Sequence, residues 1–149
     1  MSSGRFLPAF LVSLALSVGA AASAGAQAKA ALPAAVGDLN AAQLVEIRDQ
    51  DGQVMLHGTL KTSKNEPKET ERKAELVSPS GQRAKGKMEV EIERKDGLVS
   101  AEEMEFSLEK LGASLQYELF LDGRHVASFM TAKNGRADLK FERKALPSR

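Results

Sequence analysis

From Gln43 to the C-terminal end, apolar and polar residues alternate along most of the chain, which is the period of half-buried β-strands. Turn dipeptides punctuate the alternation. Asp51-Gly52, Asp122-Gly123 and Asn134-Gly135 each stand between alternating runs and predict hairpins, because a type I′ turn needs positive φ at both central residues and Asn, Asp and Gly tolerate it. A turn at Asp51-Gly52 sets Ile47 opposite Leu56, with Val45, Val54 and Leu60 on the same face and His57 opposite Glu46 on the other. A turn at Asp122-Gly123 sets Leu119 opposite Val126, and one at Asn134-Gly135 sets Met130 opposite Leu139 and Ser128 opposite Phe141. Together they predict a meander from about Ser114 to Phe141 with Leu115, Tyr117, Leu119, Val126, Met130, Leu139 and Phe141 facing inward, since side-chain parity fixes the face.

Ser78-Pro79-Ser80-Gly81 predicts a turn between a strand over Arg72–Val77 and a long strand over Gly86–Arg94, with Met88, Val90 and Ile92 inward and Glu89, Glu91 and Glu93 outward. Lys61–Lys73, dense in charge and carrying Pro67, reads as a solvated loop. Ser100–Leu111 fits two patterns. Ser100 with Glu103 is a helical capping box, whereas Met104, Phe106 and Leu108 alternate with Glu103, Glu105, Ser107 and Glu109 as in a strand. We adopt the strand, joined to its predecessor by a three-residue turn Lys95-Asp96-Gly97 that aligns Met88 with Met104. The expected fold is all-β: an antiparallel sandwich of seven or eight strands, or alternatively a small barrel.

The N-terminus follows a different pattern. Arg5 precedes an apolar run, Phe6–Val18, broken by Pro8 and two serines, and small residues follow with A-x-A spacing at Ala22, Ala24, Ala26 and Ala28. This is the tripartite form of a secretory signal peptide, and the run is too short for a spanning helix, which needs roughly 20 apolar residues. The chain then divides into a signal peptide (1–28), a flexible Ala/Pro/Gly lead-in (29–42), a β domain (43–144) and a tail (145–149). The expected address is periplasmic or secreted, with nothing spanning a membrane after processing. Removing Arg5 from 21 Lys+Arg against 20 Asp+Glu leaves parity, and this balance argues against a nucleic-acid partner. The absence of cysteine removes thiol chemistry and thiolate metal sites.

Leu111, Tyr117 six positions later, then Leu119, Leu121 and a hairpin resemble the later part of fibronectin type III and immunoglobulin-like sandwich domains, over residues 106–131. The resemblance implies a tyrosine corner, in which the Tyr117 hydroxyl bonds to backbone near Leu111–Ala113. No tryptophan stands in the chain, and a further strand follows Asn134, both departures from that pattern.

Candidate chemistry is sparse. His57 and His125 are the only imidazoles, and neither lies in a nucleophile motif. Met55 and His57, at i and i+2 on one strand face, have the spacing at which sulfur and imidazole share a copper ion, so a small periplasmic metal-binding protein is the alternative function. Glu89, Glu91, Glu93, Glu103 and Glu105 form an acidic strip interleaved with Lys85, Lys87, Arg94 and Lys95, a pattern that reads as a solvated face. Phe120 and Phe129, with His125 between them, are placed opposite the core as the one apolar partner surface. No catalytic, cofactor or metal residue is assigned. The expected function is an exported, non-catalytic module that binds a macromolecular envelope or extracellular partner.

Overall fold

The computed structural model describes residues 28–145; the expected signal peptide up to residue 27 and the last four residues of the chain lie outside the described residues. Ten strands follow in chain order: β1 (Ala28–Ala31), β2 (Leu44–Arg48), β3 (Val54–Thr59), β4 (Lys61–Asn65), β5 (Glu69–Val77), β6 (Lys85–Lys95), β7 (Leu98–Glu109), β8 (Gln116–Leu121), β9 (Arg124–Met130) and β10 (Ala137–Lys144). All belong to one sheet in the order β1-β10-β7-β6-β5-β3-β2-β8-β9, with β4 beside β5. Every pair is antiparallel except β1 with β10. In place of the two facing sheets of a sandwich, this one sheet curls into an open half-barrel whose concave face holds a single apolar core.

The central strands follow their parity. Met88, Val90, Ile92, Met104, Phe106 and Leu108 are buried, because alternation over β6 and β7 gives each strand one apolar face. Asp96 and Gly97 carry φ of 54° and 78°, a two-residue turn of the mirror-image kind. A bulge between Glu93 and Arg94 absorbs the residue expected in the turn. Met88 therefore pairs with Phe106, and Val90 with Met104, two residues from the expected alignment but on the same face.

Three expectations are corrected. Lys61–Lys73 is no loop: β4 pairs with the start of β5 from Lys61↔Lys73 to Asn65↔Thr70, and Thr70 and Arg72 are buried. Residues 29–42, expected as a flexible lead-in, contribute β1 and four buried side chains, Leu32, Val36, Leu39 and Ala42. The meander is also broken. The turn at Asp122-Gly123 forms as expected, with φ of 47° and 78°, but a bulge between Leu119 and Phe120 leaves Val126 as an extra residue. A bulge turns later side chains over, so Phe129 joins the core while Met130 stands about half exposed, at 48%. Leu115, ahead of β8 and next to Ser114 at φ 50°, is 53% exposed. Asn134-Gly135 turns the chain, yet β9 and β10 do not pair; β10 lies between β1 and β7. The first hairpin keeps its predicted Ile47–Leu56 and Glu46–His57 pairs, with a bulge at Arg48 that leaves Val54 half-buried.

The half-barrel has two poles. At one, the β7–β8 loop and the β9–β10 turn interlock, with the Leu111 N–H donating to Gly135 O at 3.1 Å. The buried Tyr117 hydroxyl accepts the Gly112 N–H at 2.8 Å. The Thr131 hydroxyl donates to Gly112 O at 2.5 Å and accepts the Leu115 N–H at 3.1 Å. Gly135, at φ 75°, lies so close to Leu111 that a Cβ would stand 2.2 Å from its carbonyl oxygen. At the other pole, residues 32–43 run from β1 to β2 as a strap across the concave face.

Candidate functional site

Toward the strap pole, the inward rows of four strands reach a charged residue, with the buried Thr70 lying beyond Arg72 on β5. Ala74 and Leu76 of β5 lead to Arg72. Met88, Val90 and Ile92 of β6 lead to Arg94, Met104 and Phe106 of β7 to Glu102, and Leu139 and Phe141 of β10 to Arg143. The sheet register sets Thr70, Ile92, Glu102 and Arg143 in one row, with Arg72 in the next. The apolar trough thus ends in three guanidinium groups and one carboxylate.

Arg72 is 7% exposed. Its guanidinium donates to the carbonyls of Leu39 at 2.8 Å, Ala42, and Leu60 at 3.2 Å. Its Nε has no partner. No acidic side chain pairs with it among the described residues, and the rest of the chain contains no Asp or Glu. Arg143 donates through Nε to Glu102 at 2.5 Å, and through Nη1 and Nη2 to the carbonyls of Val36 and Gly37 at 3.0 and 3.1 Å. Arg94 donates to the Thr70 hydroxyl at 2.7 Å. Asp122 holds the far end of the strap, its carboxylate accepting the N–H groups of Gln43 and Leu44 at 3.1 and 2.8 Å.

The strap is therefore tied down by backbone groups alone. Four of its carbonyls accept from Arg72 and Arg143. Of its own side chains, Leu32, Val36, Leu39 and Ala42 pack in the core, and Asp38 bonds within the strap by accepting the Asn40 N–H at 2.9 Å. Main-chain carbonyls carry partial charges, so Arg72 sits in a low-dielectric region without a full counter-charge, a costly arrangement unless an anion can reach it. Arginine stays protonated and offers a planar fork of donors suited to carboxylate or phosphate. No imidazole stands among these groups, and the one hydroxyl, that of the buried Thr70, accepts from Arg94. The chemistry available here is recognition of negative charge.

Of the residues singled out from sequence, both histidines and Phe120 lie outside the core, whereas Phe129 does not. His57, Glu46, Phe120 and His125 form one row across β3, β2, β8 and β9. The two histidines are three strand spacings apart, roughly 14 Å, too far to share an ion. Arg48 covers the Phe120 ring at 4.1 Å, and His125 meets its edge at 5.4 Å. Phe129, expected beside Phe120, is stacked on Tyr117 inside the core. Met55 is half-buried and packs against the core, while His57 is exposed. Among the described residues, no three His, Asp or Glu side chains are placed to hold a metal ion.

The acidic strip is a ladder across four strands, Glu71, Glu91, Glu103 and Glu142 in successive register. Burial, with repulsion from Glu69, Glu103, Glu93 and Glu71, pushes the Glu91 carboxyl above its ordinary value. Lys140 relieves the neighbouring strands through a 2.6 Å pair with Glu103, and that hydrogen bond raises its own pKa.

No family model matches the chain, and neither a curated protein nor a solved structure matches it either. The functional reading therefore rests on the site itself.

Sequence reasoning missed this pole, although a signal was there. Extending each inward row by one step from Ala74, Ile92, Met104 and Phe141 lands on Arg72, Arg94, Glu102 and Arg143. A charge at a core-parity position is the unusual observation.

Proposed function

We propose that the protein is an exported, non-catalytic binding module, periplasmic or secreted, that takes an anionic ligand at the strap pole of its half-barrel. The observation that carries the reading is the concave cluster of Arg72, Arg94 and Arg143 against Glu102 alone, with Arg72 held by carbonyls only. Export is supported by the N-terminal pattern of Arg5, the apolar run and the A-x-A spacing. The mature protein is expected to begin between Gly25 and Ala30, which N-terminal mass spectrometry of the exported form reads directly; an intact Met1 there would contradict export.

Anion binding is tested by thermal unfolding at constant ionic strength, with acetate or benzoate replacing chloride. A ligand bound only by the native state raises the melting temperature in a concentration-dependent manner. The gain should disappear in Arg72→Gln. Equal melting temperatures in all three salts, at concentrations up to about 0.1 M, would contradict the reading.

A further inference from the structure

We infer that the ligand of this pole is a single-chain amphiphile with a carboxylate head, and that it binds by displacing the strap and laying its tail along the apolar trough. This rests on the anion-binding reading above and adds the tail, the head chemistry and the moving part. The strap's contribution to the core is limited to Leu32, Val36, Leu39 and Ala42. These side chains bring about twelve aliphatic carbons to the sheet, the content of a medium-length acyl chain, so a tail of that length restores the burial lost when they leave.

The polar contacts exchange in the same way. When the strap leaves, Arg72 loses the carbonyls of Leu39 and Ala42 and keeps that of Leu60, which belongs to the β3–β4 corner. Both vacated acceptor positions lie on Nη1, a donor that one carboxylate oxygen can take while the other turns to Nη2 beside it. Arg143 loses Val36 and Gly37 but keeps Glu102, so it remains neutralised while Arg72 does not. Arg72 is thus the seat of the head, and Arg143 a second tie on the strap. No covalent bond changes: ligand carboxylate and strap carbonyls compete for the same donors.

Isothermal titration with the purified protein separates the components. Laurate should bind. Acetate, which has the head without the tail, should bind at least about a hundredfold more weakly, because each methylene withdrawn from water strengthens binding. Dodecyltrimethylammonium, which has the tail with the opposite charge, should give no saturable binding, and dodecyl phosphate should bind more weakly than laurate. Arg72→Gln should lower laurate affinity tenfold or more. If that variant does not fold, the ligand series on the unaltered protein carries the test alone. Laurate and acetate binding equally would overturn the inference and leave the anion reading standing. Laurate and dodecyltrimethylammonium binding equally would reduce the site to unspecific detergent uptake and overturn both, as would failure of every anion to bind. Dodecyl phosphate binding more tightly than laurate would overturn the carboxylate assignment.

Discussion

The two poles of the half-barrel close the same kind of opening by different means. At the tyrosine pole, closure is neutral: the Tyr117 and Thr131 hydroxyls bond to the backbone of Gly112 and Leu115, and Gly135 lets the β9–β10 turn lie against Leu111. At the strap pole, closure is ionic on one side only, with guanidinium groups facing main-chain carbonyls. A neutral hydroxyl matched to an amide is satisfied, and no small solute improves on it. A buried cation matched to carbonyl dipoles is better served by an anion. The first kind of closure is permanent and the second is exchangeable.

The largest expected effect lies at the tyrosine pole. Tyr117→Ala opens a cavity beneath Phe129 and orphans the Gly112 amide, and should cost about 4 kcal/mol in urea unfolding. A neutral outcome would place the ring outside the core and remove the contrast between the poles. Arg72→Ala comes next. It strands the carbonyls of Leu39, Ala42 and Leu60, and the cost should be about 2 kcal/mol, because a freed strap can turn those groups to water. A loss as large as that of Tyr117→Ala would mean that the strap is as permanent as the other pole. Tyr117→Phe keeps the ring and removes only the bond from Gly112, for about 1 kcal/mol.

The smallest effect belongs to neither pole and calibrates both. Glu91 is raised by burial first and by the surrounding glutamates second. Its folded form binds a proton more readily than the unfolded chain, so the ionised carboxylate opposes folding at neutral pH. The opposition fades as pH falls through the folded pKa. Glu91→Gln should therefore stabilise by about 0.5 kcal/mol at pH 7, the scale of a like-charge cross-strand contact. The gain should vanish near about pH 4. A gain that persists at low pH would trace to shape rather than charge.

Much of the fold could be read from the chain, and the failures share a cause. β6 and β7 were legible because long alternating runs leave parity no freedom. The Glu46–His57 pair also lies where local spacing placed it, and the Gly112–Tyr117 bond lies where the resemblance to sandwich domains implied one. The register of β8 with β9 failed because the extra residue at Val126 has no sequence marker, and one bulge moved Phe129 inward and Met130 outward. Asn134-Gly135 announced a turn but not which strands it joins, since pairing is decided by the curl of the whole sheet. The candidate site was hidden by reading charge as solvent exposure over Lys61–Lys73, the stretch that contains Arg72. Arg72 was legible only as an exception to its own strand's pattern.

Whether the strap leaves when ligand arrives is measured in the unaltered protein by amide hydrogen exchange. At present the Ala41 and Ala42 N–H groups are held by Asp38 O, and those of Gln43 and Leu44 by the Asp122 carboxylate. With saturating laurate, exchange over Asp38–Leu44 should accelerate while amides of β6 and β7 keep their protection. Laurate that binds and slows exchange across Asp38–Leu44, or leaves it unchanged, would show a strap that stays in place and would contradict the account.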